Sequence, residues 1–134
     1  MKGVSSSLAA LGFLTSIVGA TTAQAADRYG VVCIHNRTGV SINFQAKVGN
    51  GQWQQFTLAP GANRWFSHKY SFGGQDSSPP LEVKFDSDLR RNSLFNLTYQ
   101  LKRNAAEGDS CGEGKPYGFQ YEPNNRNFID LKAL

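Results

Sequence analysis

The chain has 134 residues, a formal net charge of +4 and 40% hydrophobic residues. This length fits one domain with one core and is too short for two lobes that enclose a deep cleft. The basic residues are scattered along the chain, which argues against a nucleic-acid partner, because such proteins concentrate positive charge on one face.

The first segment, residues 1–25, has the order of a cleaved secretory signal peptide. Lys2 precedes an apolar run from Leu8 to Val18, and Ala23-Gln24-Ala25 then places small residues at the two positions that a signal peptidase recognises. The run is too short, and too interrupted by Gly, Ser and Thr, to span the ~30 Å bilayer core. We therefore expect a secreted or periplasmic mature domain, residues 26–134, with no membrane span.

Apolar and polar residues alternate through the mature sequence, which predicts strands with one buried and one exposed face. Tyr29 to His35 is apolar on both faces and is expected to be a central, covered strand. Together the pattern gives about eight strands and predicts an all-β fold, an antiparallel β-sandwich. The strand over 64–70 has aromatic residues on both faces, and Trp53 is out of phase with Phe56 in the strand over 52–58. The predicted strands that follow the first are 40–48, 52–58, 64–70, 81–85, 95–101, 117–121 and 128–134.

Turn residues separate these stretches. Asn50-Gly51 predicts a two-residue hairpin, because a type I′ turn needs positive φ at both central positions. Pro60-Gly61 marks the next turn and would close a second hairpin over 52–70. Two long loops remain, Ser71 to Pro80 and Asn104 to Pro116, and long loops in small domains often carry function.

Cys33 and Cys111 are the two cysteines of the chain. In an oxidising compartment such a pair usually forms a disulfide. The bond would close a loop of about 79 residues and stabilise the fold by up to about 4.5 kcal/mol. The alternative is free thiols or metal ligands, but no second cysteine or histidine lies at ligand spacing from either residue.

The segment from Val32 to Gly39 resembles the opening of small secreted bacterial β-domains, in which a Cys…Asn-x-Thr-Gly segment turns into a hairpin. The turns Gly51-Gln52-Trp53 and Pro60-Gly61 are similar to later turns of those domains. The resemblance covers about the first third of the mature chain and implies a β fold. It implies no activity and no functional residue.

Residues with catalytic or metal-binding potential fall in patterns of low specificity. Gly108-Asp109-Ser110, with His35 and His68 upstream, has the residue types of a hydrolase triad, but these are also ordinary loop residues. Asp86-Ser87-Asp88 could hold Ca²⁺, yet the arginines that follow would neutralise the two carboxylates. The histidines have no third ligand in a recognisable pattern. We therefore expect no enzyme, no metal site and no cofactor.

Two triplets, Asn36-Arg37-Thr38 and Asn96-Leu97-Thr98, match the N-glycosylation sequon. They would matter only in a eukaryotic source, whereas the signal segment is typical of bacteria.

Aromatic residues outnumber what one small core needs. On the outer face of a hairpin over 52–70, Trp53 and Trp65 would form an exposed platform on which a sugar ring stacks. The alternative is that the tryptophans cap or fill the core. The residues expected to orient the ligand on this platform are Gln55, Arg64 and Tyr70.

These observations favour binding over catalysis. We expect a monomeric, non-catalytic module that takes a glycan or a small ligand on the tryptophan platform. The alternative is an inhibitor or immunity-like protein of the cell envelope. Such a protein would hold a protein partner through its two long loops, since rigid β scaffolds present function on loops.

Overall fold

A computed structural model of the chain describes residues 28–71, 78–91 and 93–134. The predicted signal segment and most of the loop from Ser71 to Pro80 lie outside these ranges. Within them, no helix has the length and apolar character needed to cross a bilayer.

The described residues form nine strands in two sheets. The strands are β1 (Tyr29–Asn36), β2 (Ile42–Val48), β3 (Gln54–Leu58), β4 (Asn63–Lys69), β5 (Leu81–Phe85), β6 (Leu97–Leu101), β7 (Asn104–Ala106), β8 (Lys115–Glu122) and β9 (Asn125–Ala133). One sheet has five strands in the order β9-β8-β1-β4, with β7 also paired to β1, and the other has the order β3-β2-β5-β6. A 3₁₀ turn, Cys111–Glu113, precedes β8.

The predicted all-β class is confirmed, whereas the expectation of purely antiparallel pairing is wrong at one place. β8 runs parallel to β1, from Val32 opposite Lys115 to Asn36 opposite Phe119. On the same edge of β1, the short β7 pairs antiparallel with Tyr29–Val31. The predicted loop Asn104–Pro116 therefore contains a strand, β7. The chain that follows β7 returns to β1 as β8, which runs in the opposite direction to β7.

The inner faces of the two sheets pack on each other through a cluster of phenylalanines. Phe44 of β2 and Phe85 of β5 are fully buried and lie against Phe119 of the other sheet, with ring centroids 5.6 and 5.2 Å apart. Each sits at an inward position of the predicted alternation. Burying a phenylalanine side chain is worth about 1.5–3 kcal/mol, so this contact is a large part of what joins the sheets.

β1 is covered on both faces, as its sequence predicts. Val32 and Ile34 belong to the core between the sheets, and Val31 and Cys33 on the opposite face are equally inaccessible to solvent. The chain around Gly114 lies on that opposite face, where a Cβ on Gly114 would come within 2.9 Å of the Cys33 backbone nitrogen. The predicted disulfide between Cys33 and Cys111 is present, with a sequence separation of 78 and Cα atoms 5.0 Å apart.

The first predicted hairpin is present, but its turn lies one residue earlier than expected. β2 and β3 pair antiparallel. The N–H of Gly51 donates to the Val48 carbonyl at 2.9 Å, which places Gly49 and Asn50 at the centre of the turn. Gly49 has a φ of 56°, a conformation that glycine adopts without steric cost.

The second predicted hairpin is wrong, because β3 and β4 belong to different sheets. The turn at Pro60-Gly61 carries the chain from one sheet to the other. Asn36 binds this turn from β1, since its N–H donates to the Ala62 carbonyl and its carbonyl accepts from Gly61, both at 2.9 Å. The connection from β1 to β2 also crosses between the sheets, so the hairpin implied by the resemblance is absent as well.

The side chain of Asn36 joins these two crossings. It is 1% exposed, and its Nδ2 donates to the carbonyls of Val40 at 2.7 Å and Leu58 at 2.9 Å. Its Oδ1 accepts from both the backbone N–H and the hydroxyl of Thr38, at 2.9 and 2.7 Å. The sequon at Asn36 is therefore closed in the folded protein, because the amide that a glycan would modify is buried and fully hydrogen-bonded.

Replacing Asn36 with alanine should lower the free energy of unfolding by about 3 kcal/mol, because it removes the buried hydrogen bonds to the Leu58 carbonyl and from the Thr38 backbone N–H. Urea denaturation measures the loss. Asn43→Ala is the matched control, since Asn43 accepts one hydrogen bond from Thr57 in an exposed position and should cost no more than about 1 kcal/mol. Equal losses for the two variants would contradict the role given to Asn36.

Removing the disulfide in a Cys33→Ala, Cys111→Ala variant should lower the free energy of unfolding by up to about 4.5 kcal/mol, because the unfolded chain regains the freedom of the open loop. Denaturant titration of the oxidised protein and the variant gives the difference. A loss below about 1 kcal/mol would show that the bond does little to restrict the unfolded chain.

Candidate functional site

The structure separates the two tryptophans of the predicted platform. Trp53 lies on the outer face of the four-stranded sheet and is half-buried, with the ammonium groups of Lys47 and Lys84 5.0 and 4.1 Å from its ring centroid. Gln55 follows on the same outer face, opposite Gln45 of β2, and is exposed. This face therefore keeps two of the five predicted site residues together.

Trp65 lies on the other side of the molecule. It stands directly opposite Cys33 in the pairing of β4 with β1, on the outer face of the five-stranded sheet. The expectation that both tryptophans share one surface depended on a hairpin over 52–70. Because β3 and β4 join different sheets, the two rings face in opposite directions.

The remaining two predicted site residues, Arg64 and Tyr70, do not lie together at one place where a ligand could bind. Arg64 points away from the Trp65 side and lies over the Phe56 ring at 4.3 Å and the Phe66 ring at 5.9 Å, where it covers an edge of the aromatic core. Tyr70 is buried, and its hydroxyl would be 2.8 Å from a Cβ on Gly30. Both side chains thus pack against the body of the fold.

A compact group of chemically varied side chains surrounds Trp65, and we call it the Trp65 face. Its members are Trp65 and Asn63 of β4, His35 of β1, Asp109, and the disulfide. The Trp65 Nε1–H donates to Asp109 Oδ1 at 3.2 Å, and His35 pairs with Asn63 in the strand register. An aromatic ring bordered by a carboxylate, an amide and an imidazole provides both a stacking surface and hydrogen-bonding groups.

The position of Trp65 is held from two directions. The β4–β1 pairing fixes its backbone, and the bond from Asp109 restrains the indole ring. Asp109 itself is two residues from Cys111, whose disulfide anchors that segment to β1. A side chain that is ordered before a ligand arrives loses less conformational freedom on binding.

The carboxylates of the Asp86-Ser87-Asp88 segment are engaged by the protein itself. Asp88 accepts hydrogen bonds from the Arg90 guanidinium at 3.0 Å and lies 3.6 Å from the Arg91 guanidinium. The side-chain and backbone hydrogen bonds from Arg90 hold the pKa of Asp88 below its ordinary value. Asp86 accepts a hydrogen bond from the backbone N–H of Phe95.

An open groove of about 450 Å³ lies at another part of the surface, where β6 approaches β9. The Tyr99 hydroxyl donates to Asp130 Oδ1 at 2.6 Å, and Glu122 lines the same groove and lies 3.8 Å from the Lys132 ammonium. The hydrogen bond to Asp130 raises the pKa of Tyr99 to about 12. The polar groups of this groove thus already have protein partners.

Two members of the Trp65 face, Asp109 and His35, were considered in the sequence as residue types of a hydrolase triad, and His35 also as a metal ligand. The positions of the cysteines predict that Asp109 and His35 lie close together, since His35 follows Cys33 by two residues and Asp109 precedes Cys111 by two. A disulfide between the cysteines brings both side chains to one place. That Trp65 joins them depends on the β1–β4 pairing, which no local pattern indicates.

Comparison of the chain with protein-family models, with curated proteins and with solved structures gives no match.

Substituting Asp130 with asparagine should lower the pKa of Tyr99 from about 12 toward its ordinary value, because the charged acceptor that favours the protonated phenol is lost. An ultraviolet titration of tyrosinate, with Tyr99→Phe to identify the signal, measures the change. Since the pKa is raised in the folded state, the stabilisation is complete below pH ~10 and is lost as the pH rises through the folded pKa. An unchanged titration in the Asp130 variant would contradict the assignment.

Proposed function

We propose that the protein is a secreted or periplasmic, monomeric binding module that acts without catalysis and takes a glycan on the Trp65 face. The observation that carries this proposal is that Trp65 is 45% exposed although its indole N–H is already bound by Asp109. An exposed, ordered tryptophan on a rigid sheet is a typical anchor for a ligand.

The chemistry of the neighbouring side chains supports a sugar as the ligand. The apolar C–H surface of a sugar ring stacks on an indole face, and its hydroxyls need donors and acceptors at the rim of that face. Asp109 offers acceptor oxygens, and Asn63 and His35 offer both donors and acceptors. Asn63 and His35 lie on the sheet beside the ring, and Asp109 reaches the indole from the segment that precedes Cys111.

Residues 107–113 lie across β1, and we call them the acidic segment. Their charge favours a neutral glycan over an acidic one. Glu107, Asp109 and Glu113 follow each other along this segment within seven residues. All three are exposed. Their negative potential would repel a carboxylated or sulfated sugar.

Trp53 is less suited to this role than Trp65. Its ring is half-buried, and the Lys47 and Lys84 ammonium groups stand over it. A sugar would have to displace these cation–π contacts, each worth about 0.5–1 kcal/mol at an exposed site, before it could stack. Trp53 therefore serves as the comparison residue for a test of Trp65.

A Trp65→Ala variant should lose glycan binding, with an affinity decrease of about 2 kcal/mol or roughly 30-fold in Kd, because the stacking surface is removed. A glycan array of the mature domain would identify the ligand, and isothermal titration calorimetry would then measure Kd for each variant. Circular dichroism and thermal melting would show that each variant is folded.

Trp53→Ala is the matched control on the opposite sheet and should leave Kd unchanged. Trp65→Phe should recover part of the lost affinity, because a smaller aromatic ring still stacks. The proposal fails if Trp65→Ala binds as tightly as the native protein, if the Trp53 variant loses as much affinity, or if the folded native protein binds no glycan on the array.

A further inference from the structure

Three soft or borderline metal-ligand groups meet at the edge of the Trp65 face. The sulfurs of Cys33 and Cys111 and a ring nitrogen of His35 all lie within 4.8 Å of one another. His35 Nε2 lies 3.8 Å from Cys111 Sγ. With the disulfide formed, the sulfurs have no thiolate charge to offer a cation.

The spacing is close to that of a zinc site. With Zn–S bonds of about 2.3 Å and Zn–N bonds of about 2.0–2.1 Å, tetrahedral geometry places a ligand sulfur and nitrogen about 3.6 Å apart and two sulfurs about 3.8 Å apart. His35 and Cys111 already meet the first requirement. The second is met once the two sulfurs are no longer bonded and move to nonbonded contact.

The surrounding backbone allows this movement while keeping the ligands together. Cys33 and His35 are two residues apart on β1, so both face the same side of a strand that is held on both edges. Cys111 lies on the short 3₁₀ turn and is half-buried. Beside it, a Cβ placed on Gly112 would meet no atom within 4 Å, so the turn borders open space on that side.

We propose that reduction of the disulfide converts Cys33, His35 and Cys111 into a zinc-binding site with three protein ligands and a water molecule in the fourth position. This proposal does not rest on glycan binding, although His35 borders both sites. Two thiolates and one imidazole are a ligand set that suits Zn²⁺.

The chemistry balances with a dithiol as the reductant. One thiolate of the dithiol attacks the Sγ of Cys111, the more exposed of the two cysteines, and displaces the Cys33 thiolate. The second thiol of the reductant then attacks the mixed disulfide, which releases the Cys111 thiolate and the oxidised, cyclic reductant. Two electrons pass to the protein, both sulfurs become thiols, and Zn²⁺ displaces the two thiol protons as it binds.

Zinc would take over the mechanical role of the disulfide. In either state a link from β1 to the 3₁₀ turn holds the acidic segment across β1, first through a covalent bond and then through the metal. Because the folded chain presents the three ligands together, the binding free energy adds to the stability of the reduced protein. The link between β1 and the 3₁₀ turn would therefore persist under reducing conditions when zinc is available.

The test uses the full mature domain, reduced with a phosphine and freed of it without oxygen, and Co²⁺ as a spectroscopic probe. Reduced protein should bind one Co²⁺ per chain with a thiolate-to-cobalt charge-transfer band and the visible bands of tetrahedral coordination. Zn²⁺ should then displace the colour. Oxidised protein should show neither band.

The two histidines of the described chain provide matched variants. His35→Ala should weaken Co²⁺ binding by at least about 10-fold, the lower limit for losing even an outer-sphere partner of a metal. His68→Ala should leave it unchanged, since His68 packs near Tyr70, with ring centroids 6.0 Å apart, and is not part of the cluster. If the reduced apo chain unfolds, Zn²⁺ should restore the strand signal in circular dichroism more readily for the native sequence than for His35→Ala.

The proposal is overturned if the reduced protein binds no Co²⁺ and is not refolded by Zn²⁺, if the oxidised protein binds Co²⁺ equally well, or if His35→Ala binds as tightly as the native sequence. Glycan binding is measured on the oxidised protein without metal. Failure of one proposal is therefore distinguishable from failure of the other.

Discussion

The coverage of β1 on both of its faces is the constraint on which the rest of the structure depends. One face of the strand supplies Val32 and Ile34 to the core between the sheets. Its other face would expose Val31 and Cys33 to water if the segment around Gly114 did not lie across it. Every strand of the five-stranded sheet except β9 pairs directly with β1, so its coverage determines both where the sheet forms and where the acidic segment crosses it.

The two ends of the fold are fastened to this strand by different chemistry. Near its carboxyl end, Asn36 uses the whole hydrogen-bonding capacity of one buried amide to fix two crossings between the sheets. In its middle, Cys33 holds the late part of the chain through the disulfide. The Trp65 face lies where these constraints meet, because Trp65 pairs opposite Cys33 and Asn63 opposite His35.

The strand over Arg64–Tyr70 shows what a local sequence pattern can predict and what it cannot. The sequence predicts a strand there with aromatic residues on both faces, and the structure has β4 over Asn63–Lys69. Pro60-Gly61 showed that the chain reverses there, but a reversal does not say which strand comes next to which. The partner was decided by contacts from distant parts of the chain, namely the Asn36–Ala62 hydrogen bond and the packing of Phe56 against Phe66 across the two sheets.

The sequence alone determined the all-β class, most strand positions, the covered central strand and the disulfide, because each is encoded in neighbouring residues or in the composition. Only the tertiary structure decided that Trp65 is exposed beside Asp109 and that Trp53 lies on the opposite face under two lysines. A period of two indicates that successive side chains point to opposite faces, but it does not indicate which face meets water. That depends on the sheet each strand joins and on the segment that covers it, and both are set by residues far away in the chain.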